Sequence, residues 1–160
     1  MGTRSLTHVI ETYKHNGKKK KQTLLTMYRQ YDGYPSGHGS DLVGFLEGSR
    51  VVNGYSTSDT ESEKRVFNGA GCLAAQLVAH FKKGIGGFYL HKPNAKDCGE
   101  EYTYEIEVDS DTNQTTLRCY EIGYMSKNRQ GEKIYVNKKR KLFEGKAEGF
   151  LEAVKQKQEA

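Results

Sequence analysis

Ser5-Leu6-Thr7-His8-Val9-Ile10-Glu11-Thr12-Tyr13, then His15-Asn16-Gly17 and the run Lys18-Lys19-Lys20-Lys21, then Gln22-Thr23-Leu24-Leu25-Thr26-Met27-Tyr28-Arg29-Gln30-Tyr31: this stretch decides the fold. The two outer segments are rich in Thr, Val, Ile, Leu and Tyr, and Asn-Gly between such runs is a strong hairpin signal. The lysine run reads as a solvated turn. Side chains alternate along a strand, so Leu24, Thr26, Tyr28, Gln30 and Asp32 share one face and Leu25, Met27, Arg29 and Tyr31 the other. Both faces are partly apolar, which predicts a strand interior to its sheet. It ends where Gly33-Tyr34-Pro35-Ser36-Gly37-His38-Gly39 releases the chain.

Downstream, Ser40 or Asp41 caps a short helix carrying Leu42, Phe45 and Leu46, stopped by Gly48. Asn53–Glu63 is polar and reads as a loop. From Ser62 or Glu63 a longer helix is expected, with Val66, Ala70, Leu73, Leu77 and Phe81 on one stripe. Gly69 and Gly71 inside it each cost roughly 1 kcal/mol relative to alanine, so they mark close packing or a later start near Gly71. Strands are expected at Phe88–His91, Glu101–Val108, Leu117–Tyr124 and Lys133–Val136, with Pro93–Gly99 a turn-rich connection. In Glu101–Val108, Tyr102, Tyr104, Ile106 and Val108 alternate with Glu101, Thr103, Glu105 and Glu107, an antiparallel pattern whose acidic face meets water. A helix over Lys146–Lys157 closes the chain. The reading is one α+β domain over 1–160, a mainly antiparallel sheet of about five to six strands with two main helices packed on it and a C-terminal helix.

Composition agrees with a globular chain. Hydrophobic residues make up only 35%, but eleven tyrosines and six phenylalanines supply large buried area per residue. No apolar run reaches the roughly 18 residues of a membrane span, and the N-terminus lacks a secretory apolar core, which predicts a cytoplasmic protein with no membrane partner. The opening Met1-Gly2 does not extend to a myristoylation signal, because Leu6 stands where Ser or Thr is required. Cys72, Cys98 and Cys119 have irregular spacings that fit neither a disulfide framework nor a zinc site, so reduced thiols are expected.

The chemically dense stretch is Tyr28–Gly39, with ring faces, a guanidinium, an amide, a carboxylate, a hydroxyl and an imidazole within twelve residues. Its three glycines would let backbone N–H groups approach a ligand, and a helix starting near Ser40 would aim its free N–H groups at the same space. This predicts a small anionic, nucleotide-type ligand, with Tyr28, Tyr31 or Tyr34 stacking, Arg29 holding phosphate and Asp32 reading hydroxyls; Gln30, Ser36 and His38 complete the stretch. Strand alternation puts Tyr28 and Arg29 on opposite faces unless the strand bends. Arg4, Gln76 and Glu101 are added from elsewhere, with Asn68 and Cys72 near Gln76. The competing reading is an ordinary strand-to-helix turn in which Asp32 bonds its own loop and the glycines only allow the dihedrals.

No cofactor is expected, and no metal; His38, His91 and Asp97 are the least implausible ligand set. Catalysis, if any, would use His38 and His91 as acid and base on a phosphodiester. There is no Gly-x-Ser-x-Gly elbow, Walker loop or dinucleotide-binding fingerprint. Lys138-Lys139-Arg140-Lys141 is the strongest sign of nucleic acid, but the rings are not interleaved with the lysines in sequence, so a solvated or partner-facing strand is expected instead. A homo-oligomer is expected, because shared pockets enclose more of a small ligand.

Four segments, Met1-Gly2-Thr3-Arg4-Ser5-Leu6-Thr7, Tyr28–Gly39, Gly69–Ala79 and Asp97-Cys98-Gly99-Glu100-Glu101-Tyr102, resemble a family of small, largely uncharacterised phage and prokaryotic proteins. The resemblance covers roughly the first two thirds of the chain and implies a phage context. It carries no activity or site roles. By type rather than homology, small phage proteins with polar aromatic pockets are similar to sponges that sequester host immune nucleotides such as cyclic dinucleotides or cyclic ADP-ribose products. The expectation is therefore a phage-type anti-defence protein that holds such a signal without cleaving it, acting in the host cytoplasm. The rivals are a phosphodiesterase and an adaptor for a host protein or nucleic acid.

Overall fold

The computed structural model describes residues 2–159, with side chains described to residue 156; Met1, the first residue of the resemblance segment and of the lipidation motif, lies outside them. A six-stranded sheet has the order β5-β2-β1-β6-β7-β8, where β1 is Ser5–His15, β2 Lys18–Arg29, β5 Phe88–His91, β6 Tyr102–Asp109, β7 Gln114–Lys127 and β8 Lys133–Gly145. Two short strands, β3 (Arg50–Val52) and β4 (Val66–Asn68), pair separately. The helices are α1 (Ser40–Leu46), α2 (Thr57–Thr60), α3 (Gly69–Phe81) and α4 (Phe150–Glu159). The α+β reading with a C-terminal helix holds.

Asn16 and Gly17, at φ 51° and 75°, form the two-residue hairpin turn, since both central positions of that turn need positive φ. His15 therefore pairs with Lys18, and the lysine run is strand rather than turn. β1 joins β6 in parallel, while every other pairing in this sheet is antiparallel. Parallel neighbours need a crossover, and everything between β1 and β6 supplies it.

Position β6 in the middle of the sheet changes the fate of its acidic face. Instead of meeting water, Glu105 and Glu107 bind Arg118 of β7 at 2.9 and 2.7 Å, and Glu144 of β8 adds a bond at 3.2 Å. Arg118 is only 8% exposed. Burial pushes the Glu105 carboxyl up, but its bond to Arg118 together with the charges of Arg118, Lys139 and Lys21 more than reverses this and holds it below the usual carboxylate range.

The core lies between the other face and the helices: Val9, Met27, Tyr104, Ile106, Leu117 and Cys119 from the sheet meet Leu42, Phe45, Leu73, Leu77, Phe81 and Phe150. The stripe Ala70, Leu73, Leu77, Phe81 is buried as its spacing predicts. α3 nevertheless starts at Gly69 and not at Glu63, because Val66–Asn68 is drawn into pairing with β3 and Gly69 turns the corner at φ 80°. Within Asn53–Glu63, expected to be loop, α2 forms behind Ser56, whose backbone N–H donates to the Asp59 carboxylate at 2.9 Å. Cys72, Cys98 and Cys119 are free thiols. No helix among the described residues is long and apolar enough to cross a membrane.

Candidate functional site

The dense stretch folds onto itself before it faces anything else. A π-helical turn, Pro35–Gly39, precedes α1, so helical backbone begins five residues earlier than Ser40. The N–H groups expected to point at an anion are already bonded: Gly37 donates to Tyr34 O at 2.9 Å, His38 to Asp32 O at 2.8 Å, and Ser40 to Gly37 and Pro35 carbonyls. The glycines are there for packing. A Cβ on Gly33 would stand 2.8 Å from Ser5 Cβ, one on Gly37 2.5 Å from Asp32 O, and one on Gly39 2.6 Å from the Phe150 ring. Asp32 takes φ 58° to make the bend. The backbone cradle drawn from the sequence is thus corrected: close approach is to the protein's own core.

His38 ends fully buried, ringed by Phe81, Phe88 and Tyr104 at centroid distances of 5.2, 6.2 and 5.1 Å. Its two nitrogens are both used. Arg29 Nη1 donates to Nδ1 at 3.0 Å, and a guanidinium can only donate, so the proton sits on Nε2 and is given to Thr7 Oγ1 at 2.7 Å. Burial, with the adjacent Arg29 charge, pulls its pKa down to about 3. It is a neutral strut.

Arg29 is held from three sides: Nε donates to Tyr31 O at 2.7 Å, and Nη1 bonds both His38 and Asp41 Oδ2, the latter at 2.7 Å. The guanidinium lies over the Phe88 ring, 5.1 Å from its centroid. Nη2 has no hydrogen-bond partner among the described residues, which leaves two fixed N–H groups. Arg29 lines a cleft of about 490 Å³ together with Ser40, Asp41, Gly44, His80, Phe81, Lys83 and Phe88.

A second arginine–histidine pair lies close by, and its His80 lines the same cleft. Arg65 Nη2 donates to His80 Nδ1 at 3.1 Å, so His80 likewise carries its proton on Nε2, and that N–H has no partner among the described residues. Burial, then Arg65, lowers its pKa, so the ring is neutral. Lys83 makes no ion pair among the described residues. The cleft therefore offers donors from Arg29, His80 and Lys83, against a single carboxylate, Asp41, itself bonded to Arg29.

The other expected site residues scatter. Tyr31, Asp32, Tyr34 and Ser36 are exposed, with Tyr34 OH donating to Asp32 at 3.4 Å. Gln30 is anchored by its backbone N–H to Gly87 O at 2.8 Å. Tyr28 points to the opposite face of the sheet, beside Tyr89 and His91 at centroid distances of 6.2 and 5.3 Å. No bend reconciles it with Arg29. His91 shares that far face while His38 is buried under the helices, so the two do not face each other across a pocket, and the acid–base pair is not formed. His38, His91 and Asp97 form no metal cluster among the described residues. Arg4 and Glu101 are neighbours, but through the Arg4 backbone N–H, which donates to the Glu101 carboxylate at 3.2 Å. Gln76 donates to Val66 O at 3.0 Å and, with Asn68 and Cys72, lines a separate cavity of about 590 Å³.

His80, Phe81, Lys83 and Phe88 were missed. Lys83 directly follows the α3 stripe in Lys82-Lys83-Gly84, which in sequence is a plain helix-stop signal, and nothing local says that Phe88 pairs with Arg29 across the β2–β5 ladder. No family model, curated protein or solved structure matches the chain.

Proposed function

We propose that this protein binds a small anionic ligand of nucleotide type in the cleft between β2, β5, α1 and α3, and holds it without changing it. The observation that carries this reading is the Arg29 guanidinium, fixed by Tyr31 O, His38 and Asp41, with both Nη2 protons unbonded among the described residues and its side chain lining a cleft. A fixed guanidinium loses little freedom when it grips phosphate, and the His80 N–H and Lys83 add donors suited to a second charged group. A cleft of about 490 Å³ suits a mononucleotide-sized guest. Phe88 beneath Arg29 and Phe81 beside His38 give it an apolar wall. Neutral His38, with both nitrogens engaged, orients Arg29 and does no proton transfer. In a phage setting such a binder would act by sequestering a nucleotide-derived immune signal, and a second copy over the open side of the cleft would enclose it further.

Titration calorimetry with cyclic dinucleotides, ADP-ribose derivatives and pyrophosphate tests the proposal. Binding is expected to weaken roughly 10- to 100-fold in Arg29→Ala, in line with loss of a charge-assisted contact. Lys83→Ala, at an exposed position, is expected to weaken it by less while leaving the fold intact. Ligand recovered after denaturation should have its original mass. No heat from any member of the panel, or parent-like affinity in both variants, refutes it.

A further inference from the structure

β7 and β8 run on past the sheet. Their neighbour β6 stops pairing at Tyr102 opposite Glu121, yet β7 continues to Lys127 and β8 returns from Lys133, so Ile122–Val136 is a two-stranded arm at the edge farthest from the Arg29 cleft. Its tip is ordered by Asn128: Oδ1 accepts the N–H groups of Gln130 and Glu132 at 3.0 and 2.9 Å, and Nδ2 donates to the Glu132 carboxylate at 2.8 Å. That is the only carboxylate between Ile122 and Lys141, against seven basic residues. Two of the seven are balanced locally, Arg140 by Glu121 at 2.5 Å and Lys141 by Glu144 at 3.2 Å. Lys127, Arg129, Lys133, Lys138 and Lys139 have no ion-pair partner among the described residues.

Tyr135 stands between Lys133 and Lys138 in the sequence, and the hairpin register adds cations from the facing strand. Met125 opposes Tyr135 and Lys127 opposes Lys133 on one side of the arm. At its base Lys139 Nζ lies 4.0 Å from the Tyr120 ring centroid, and the Arg140 guanidinium 4.3 Å from that of Tyr124. Tyr135 is 65% exposed and Met125 60%, on a segment where large apolar groups would ordinarily be covered. The hydroxyl end of Tyr135 reaches over Gly123, at φ 76°, where any Cβ would collide with the phenol, while most of the residue stays exposed. Unpaired cations flanking the exposed Tyr135 ring match a phosphate backbone with an unstacked base. A second copy of this chain is the poorer occupant, because it would bring an equally basic arm against this one.

We infer that the β7–β8 arm is a nucleic-acid contact that grips single strands, with Lys127, Lys133 and Lys139 on phosphates and Tyr135 stacking on a base. This surface is separate from the Arg29 cleft, and the two readings stand or fall independently.

Fluorescence anisotropy with a labelled single-stranded oligonucleotide, and with the matching duplex, tests it across a salt series. The single strand is expected to bind more tightly than the duplex, with a log–log salt slope of about −2 for three phosphate contacts. Lys127→Ala/Lys133→Ala, both at exposed positions, should weaken binding roughly tenfold or more and flatten the slope. Tyr135→Ala should weaken it roughly five- to hundredfold while Tyr135→Phe keeps it, and Arg29→Ala should leave it unchanged. Salt-insensitive or absent binding, tighter duplex binding, or a lysine double variant equal to the parent would overturn the inference. So would self-association lost on Met125→Ser in a protein that ignores oligonucleotides.

Discussion

Exchanging His38 for Gln is the sharpest probe of how Arg29 is held. Gln can accept from Arg29 with its oxygen and donate to Thr7 with its nitrogen, so the exchange keeps both bonds but removes the titratable group. Burial and the Arg29 charge pull His38 down to about 3 in the folded protein, against the ordinary value of 6.5 in the unfolded chain. A group whose folded pKa is depressed stabilises the fold fully above its unfolded pKa. That stability is lost as acid protonates the unfolded chain first, from about pH 6.5 down to about pH 3. Between about pH 7 and about pH 5 the unfolded His38 takes up most of a proton while the folded one takes up almost none, which amounts to about 2 kcal/mol at 1.36 kcal/mol per pKa unit. Urea denaturation of parent and His38→Gln at these two pH values gives the number directly. His8 and His80, whose pKa values are also lowered, titrate in both proteins and cancel in the difference. The stability gap between parent and variant should shift by about 2 kcal/mol toward the variant on acidification. A gap independent of pH would mean that His38 is charged or solvated, and the fixed tautomer that orients Arg29 would fall with it.

Two other outcomes follow from the same network and from the sheet. Asp41→Asn removes the exposed carboxylate that competes for Arg29 Nη1, so calorimetry should find anion affinity raised roughly three- to tenfold, with weakened affinity as the contrary result. Arg118→Met strands Glu105 and Glu107 side by side, half-buried and without their cation; chemical denaturation at about pH 7 should show a loss of about 3 kcal/mol, narrowing in acid because Glu105, held low in the parent, protonates and the parent loses that stability.

Much of the fold was legible because its signals are local. Asn16-Gly17 demands positive φ at both positions and so announces the hairpin; the alternation Tyr104, Ile106, Val108 gives an inward face; the spacing of Ala70, Leu73, Leu77 and Phe81 gives a helix stripe. Where local signals misled, a partner strand was responsible. Val66–Asn68 looked helical until β3 claimed it, Lys18–Lys21 looked like a turn until β1 paired with it, and the acidic face of β6 looked solvated until Arg118 arrived from the next strand.

The candidate site divides the same way. By itself the sequence determined that Tyr28–Gly39 concentrates polar chemistry and that Tyr28 and Arg29 point to opposite sides of a strand. Only the tertiary structure decided that the glycines serve Ser5, Asp32 and Phe150, that His38 is a buried neutral strut, and that His80, Lys83 and Phe88 complete a cleft around Arg29. The reason is physical: residue type and spacing specify dihedrals and faces within one element, whereas a hydrogen-bond partner or a cleft wall is set by which elements the sheet order brings side by side.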